Sequence, residues 1–67
     1  MKKGQIVTVY VDPATRENVE GEAKLLYLQS NDMGVYDGHP MEYWKIRFIS
    51  DGWTGLRFIL NVDKKVI

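Results

Sequence analysis

Residues Glu42 to Ser50 alternate strictly, with Trp44, Ile46 and Phe48 on one face and Tyr43, Lys45, Arg47 and Ile49 on the other. A period of two is the signature of a strand, and Asp51-Gly52 directly after it signals a hairpin. A two-residue turn there would set Ile46 against Arg57 and Phe48 against Gly55, mixing polar and apolar on each face. A three-residue loop, Ser50-Asp51-Gly52 with the glycine left-handed, pairs Ile46 with Leu56 and Trp44 with Phe58. That register keeps one face apolar, and a slip of one residue would invert it. The three-residue loop is the expected one.

The remaining pattern is also extended. Gln5 to Val11 is almost wholly β-branched or aromatic, with Val7, Val9 and Val11 on one side and Ile6, Thr8 and Tyr10 on the other. Asp12-Pro13 ends that strand, and a polar connection, Ala14 to Glu20, leads to Gly21. A second strand runs from Glu22 to Gln29, where Leu26 and Leu28 break the alternation in a way a bulge would explain. Ser30 to Pro40 reads as one long irregular loop, punctuated by Gly34, Gly38 and Pro40. Leu60 to Asp63 reads as a short turn, at most a single 3₁₀ turn, and Lys64 to Ile67 as a last short strand. Five short strands and no convincing helix in 67 residues make one all-β domain over 1–67, which closes most economically as a small barrel without exposed edges.

Several function classes fall away on composition. Without cysteine there is no disulfide framework and no thiolate-bound metal, so a chain this short depends on packing or self-association. Nine Lys and Arg against nine Asp and Glu leave no net charge, unlike a strongly basic nucleic-acid clamp. No stretch approaches the roughly 20 apolar residues of a membrane span, and the apolar run after Met1-Lys2-Lys3 is too short for a secretory leader. The expectation is a cytoplasmic protein with no membrane partner.

Gly4-Gln5-Ile6-Val7-Thr8-Val9 resembles the Gly-x-x-Val-x-Val opening of SH3-like small barrels, in particular the KOW and Tudor branch. Gly21-Glu22-Ala23-Lys24-Leu25 is similar to their following glycine-led strand, and the Trp44-to-Phe58 hairpin with its closing turn and strand fits the same plan. The resemblance implies a five-stranded SH3-like barrel and a binding role toward RNA, DNA, ribosomal or polymerase surfaces, or peptides. The Ala-Leu-Tyr-Asp-Tyr signature is missing, so proline-peptide binding is not implied. Stand-alone proteins of this size and plan also look like accessory products of phages and mobile elements.

In the expected register Tyr43, Lys45, Arg47 and Ile49 stand beside Ile59, Arg57, Gly55 and Trp53 on the outer face. Lys45 would then oppose Arg57, which costs stability and which an anionic partner would reward. Tyr43 or Trp53 would stack on a base or fill a partner's pocket. The binding residues are therefore Tyr43, Lys45, Arg47, Ile49, Trp53 and Arg57, with Met33 and Tyr36 of the long loop as further contacts. The plain reading is a solvated face neutralised by Glu22 or Glu42, with the loop folded as a lid over one end of the barrel.

Asp32, Asp37, His39 and Glu42 match no metal-ligand spacing, and His39 has no nucleophile motif around it. Neither a metal nor a cofactor is expected, and no enzymatic activity. The leading expectation is an interaction module that binds a protein partner, as a monomer or homodimer. The alternative is a nucleic-acid-associated module built on the basic and aromatic hairpin face.

Overall fold

The computed structural model describes residues 1–65. It is all-β, with β1 at Ile6–Asp12, β2 at Glu17–Ser30, β3 at Val35–Tyr36, β4 at His39–Phe48 and β5 at Thr54–Leu60. All pairings are antiparallel. β4 is central: β2 and β3 share one of its edges and β5 takes the other. The backbone shows the division directly, because the Met41 N–H donates to Gly34 O at 2.8 Å while Pro40 O accepts from Asn61 N–H at 2.8 Å. Successive peptide groups of a strand face opposite edges.

Three connections set the registers. Asp12 Oδ1 accepts from Ala14 N and Thr15 N, and Arg16 at φ 60° completes a tight turn, so β2 starts five residues before its expected first residue, Glu22. Asp37-Gly38 forms a two-residue hairpin with both φ positive, 51° and 78°, which is the type I′ geometry that matches strand twist. The stretch read as one irregular loop therefore holds a small hairpin, Val35–Tyr36 against His39–Pro40. Bulges at Leu26 and Gln29 shift the register of β2 against β4, which accounts for the broken alternation at Leu26 and Leu28.

The third connection departs from expectation. Phe48 N–H donates to Trp53 O at 2.8 Å and Gly52 N–H to Phe48 O at 2.9 Å, so the loop has four residues, Ile49 to Gly52, with Gly52 at φ 74°. Trp44 therefore faces Arg57, Ile46 faces Gly55, Tyr43 faces Phe58 and Lys45 faces Leu56. The apolar pattern disfavours this register because it puts a glycine and an arginine on the core side. The structure offsets both. The Trp53 ring folds back over Gly55, where a Cβ would collide with Trp53 Cη2, and the Arg57 guanidinium lies over that ring.

The buried core is Val9, Ala23, Leu25, Trp44, Ile46, Phe48 and Ile59, with Met1 and Val7 packed against it. Glu42 closes one side, accepting from Trp44 Nε1 at 2.8 Å and Asn61 Nδ2 at 3.0 Å. Among the described residues no ladder joins β1 to β5, so the five-stranded sheet stays open where a closed barrel was expected. After β5 the chain turns at Val62–Asp63, and Lys64 and Lys65 are outside any strand. The remaining two residues of the expected closing strand lie outside the described residues.

Ile46→Ala should cost about 2–5 kcal/mol in denaturant unfolding, as a cavity in a fully buried site, whereas Ile49→Ala should cost under about 0.5 kcal/mol. Gly55→Ala should destabilise by about 1–3 kcal/mol, because the added methyl displaces the Trp53 ring, and near-ultraviolet circular dichroism should report that displacement.

Candidate functional site

The face of the sheet opposite the core carries Lys24 from β2, Lys45 and Arg47 from β4, and Leu56 and Phe58 from β5. Lys24 stands directly opposite Arg47, and Tyr27 stands opposite Lys45. Tyr43 and Phe58 are stacked with ring centroids 4.5 Å apart. Tyr27 is 51% exposed and Phe58 43%, so this aromatic surface is open to a ligand. Directly opposed like charges are destabilising. Glu22 lies on the same face opposite Thr8, but among the described residues no carboxylate forms an ion pair with Lys24, Lys45 or Arg47.

Of the residues singled out by the pattern, Tyr43, Lys45 and Arg47 come together there. Ile49 is exposed in the loop, off the strand. Trp53 and Arg57 belong to the other face, since Arg57 faces the buried Trp44 and Trp53 lies across Gly55. The expected opposition of Lys45 and Arg57 does not occur. Its place is taken by Lys24 and Arg47, which needs the β2–β4 register and so was invisible within the hairpin alone. Met33 and Tyr36 are not part of this face: Met33 sits in the bend between β2 and β3, and Tyr36 pairs with His39. Both are exposed, as is Val35, so the segment does not fold down as a lid.

Arg57 has a different role. Its Nε and Nη2 donate to the two carboxylate oxygens of Glu20, each at 2.9 Å, and Nη1 donates to Leu56 O at 2.9 Å. Its Cζ sits 4.7 Å from the Trp53 ring centroid and 5.8 Å from that of Phe48. Glu20 is the extra residue at the bulge between Val9↔Gly21 and Tyr10↔Val19, which turns it out of the ladder and toward β5. The paired guanidinium holds the Glu20 carboxyl below its ordinary value, and the carboxylate raises Arg57. Among the described residues no three of His, Asp and Glu converge as metal ligands, and no helix is long and apolar enough to cross a membrane.

A carboxyl with a lowered folded pKa stabilises above its unfolded value and loses that contribution as pH falls through the lowered one. Glu20→Gln should therefore destabilise by about 0.5–1 kcal/mol at pH 7, discounted for partial exposure, and by almost nothing near pH 2. Urea unfolding of both proteins at the two pH values measures the difference. No protein-family model, curated protein or solved structure matches this chain.

Proposed function

We propose that this chain is a non-enzymatic interaction module that binds a protein partner through the outer face of the 42–59 hairpin, widened by Lys24 and Tyr27 of β2. The observation that carries the reading is the Lys24–Arg47 opposition beside Lys45, with no carboxylate bonded to any of the three among the described residues. Folding gains nothing from that arrangement, whereas an acidic partner surface would offset the repulsion. Tyr43, Leu56 and Phe58 add the aromatic and aliphatic contact that supplies most of the energy in protein interfaces. The likeness of Gly4 to Val9 to the opening of SH3-like barrels supports binding over catalysis, and the lack of cysteine supports a reducing, cytoplasmic setting. The size and plan suit an accessory role of the phage or mobile-element kind.

A second reading, single-stranded nucleic acid, is favoured by the exposed Tyr27 beside Lys45, a cation and an aromatic ring within reach of one nucleotide. The chain's zero net charge weighs against it. Titration with labelled single- and double-stranded oligonucleotides at low and moderate salt separates the two. Under the protein reading neither oligonucleotide binds at low salt. Micromolar binding that falls with a log–log salt slope of about −2, as three neutralised phosphates would give, transfers the face to nucleic acid. In partner capture, Tyr43→Ala or Phe58→Ala should release the bound protein more completely than Lys45→Ala does, with the fold intact by circular dichroism.

A further inference from the structure

Two Asp-Gly pairs, Asp37-Gly38 and Asp51-Gly52, occupy the turns at the two ends of β4. Such a pair is chemically reactive, because no Cβ shields the glycine nitrogen from the aspartate carboxyl one residue before it. Asp12, Asp32 and Asp63 precede Pro13, Met33 and Lys64, which either lack the N–H or crowd it. The fold treats its two reactive pairs differently. Asp51 Oδ1 accepts from Trp53 N–H at 2.9 Å, and Gly52 N–H donates to Phe48 O at 2.9 Å, so both reacting groups are held. Among the described residues the Asp37 carboxylate accepts from no donor, and Gly38 N–H, outside β3 and β4, donates to no acceptor.

The surroundings of Asp37 also yield easily. Asp37 is exposed and stands at φ 51°, in the left-handed region. The strand before it, β3, has two residues, held by the Val35↔Pro40 and Tyr36↔His39 pairs and by the Met41 N to Gly34 O bond. So small a unit opens locally at little cost.

We propose that Asp37 is a site of spontaneous isomerisation to isoaspartate, and that the turn around Asp51 protects it from the same reaction. Gly38 N attacks Asp37 Cγ, and the new C–N bond closes a five-membered succinimide. The amide proton leaves with the carboxyl OH as water. A second water adds at the Asp37 backbone carbonyl carbon, whose bond to Gly38 N then breaks. The main chain now runs through Cγ, and the former backbone carbonyl is a free carboxylate. One water leaves and one enters, so mass and charge are unchanged and no oxidant is needed. The extra methylene has no room in a two-residue turn with both φ positive, so β3 releases from β4. The outer face stays as it is, since Lys24, Lys45 and Arg47 lie on strands that keep their partners.

The test holds the folded chain in warm, mildly acidic buffer and follows isoaspartate in two tryptic peptides, 25–45 with Asp32 and Asp37 and 48–57 with Asp51. Electron-transfer fragmentation places the isomerised residue. The need to break two hydrogen bonds first should slow Asp51 by about tenfold or more against Asp37. In concentrated urea, where neither turn exists, the two should isomerise at comparable rates, which separates the fold from the neighbouring side chains. Asp37→Asn keeps a residue suited to the left-handed turn and reacts through the same ring. Its deamidation, read as a mass gain of the intact protein, should outpace that of Asp51→Asn by a similar factor. In the isomerised, ¹⁵N-labelled chain the amide signals of Val35 and Tyr36 should move while those of Val9 and Ile46 stay. Equal rates at Asp37 and Asp51 in the folded chain would overturn the inference, as would isoaspartate at Asp32 instead. Unmoved signals of Val35 and Tyr36 would overturn the release of β3.

Discussion

Saturation of β4 on both edges is the constraint on which the rest of this small protein depends. Its odd-numbered residues bond toward β2 and β3 and its even-numbered ones toward β5, so every other strand except β1 is held by it directly. Buried peptide groups must be paired, and a fully paired central strand meets that demand without a helix or a covalent staple. The same strand carries Trp44, Ile46 and Phe48 on one face and Tyr43, Lys45 and Arg47 on the other. One segment thus supplies both the core and the candidate interface, and its twist sets where each of them points.

Arg57 shows how a polar residue can sit on the core side of such a sheet. Its stem crosses the face next to Trp44, and its guanidinium is satisfied by Glu20, by Leu56 O and by the Trp53 ring. A surface ion pair of this kind contributes little energy. Its value is geometric. It ties the β2 bulge to β5 across the side that no ladder closes, and it occupies one carbonyl of an edge that would otherwise invite uncontrolled pairing. Glycine at position 55 is part of the same device, since only a residue without Cβ lets Trp53 lie where the guanidinium can cover it.

Much of this was legible in the residues. The all-β class, four of the strands, the alternation that buries Trp44, Ile46 and Phe48, and the irregularity near Leu26 follow from periodicity and the hairpin signal. Two things did not. The hairpin register was read from the rule that one face stays apolar, and Gly55 and Arg57 violate that rule because Trp53 and Glu20 compensate for them, a tertiary effect no local pattern carries. The Asp37-Gly38 turn was available in principle as an Asp-Gly pair between Tyr36 and His39, but Pro40 beside it argued for a loop. Of the candidate site, the part within β4 was visible; Lys24 and Tyr27 belong to it only through a register that two bulges set.

The two tight turns that bracket β4 bear on how the molecule assembles. Asp37-Gly38 joins β3 to β4 and Ile49–Gly52 joins β4 to β5, so this meander closes through short loops, at small entropic cost. The contact between Glu20 and Arg57 spans 37 residues and can form only once the meander and the β1–β2 hairpin exist. Local pairing that precedes distant docking gives a folding barrier governed by the turns and an unfolding barrier governed by the late contacts. A tie that forms after the turns would act on the lifetime of the fold rather than on the route to it, and then only by the small amount an exposed ion pair contributes.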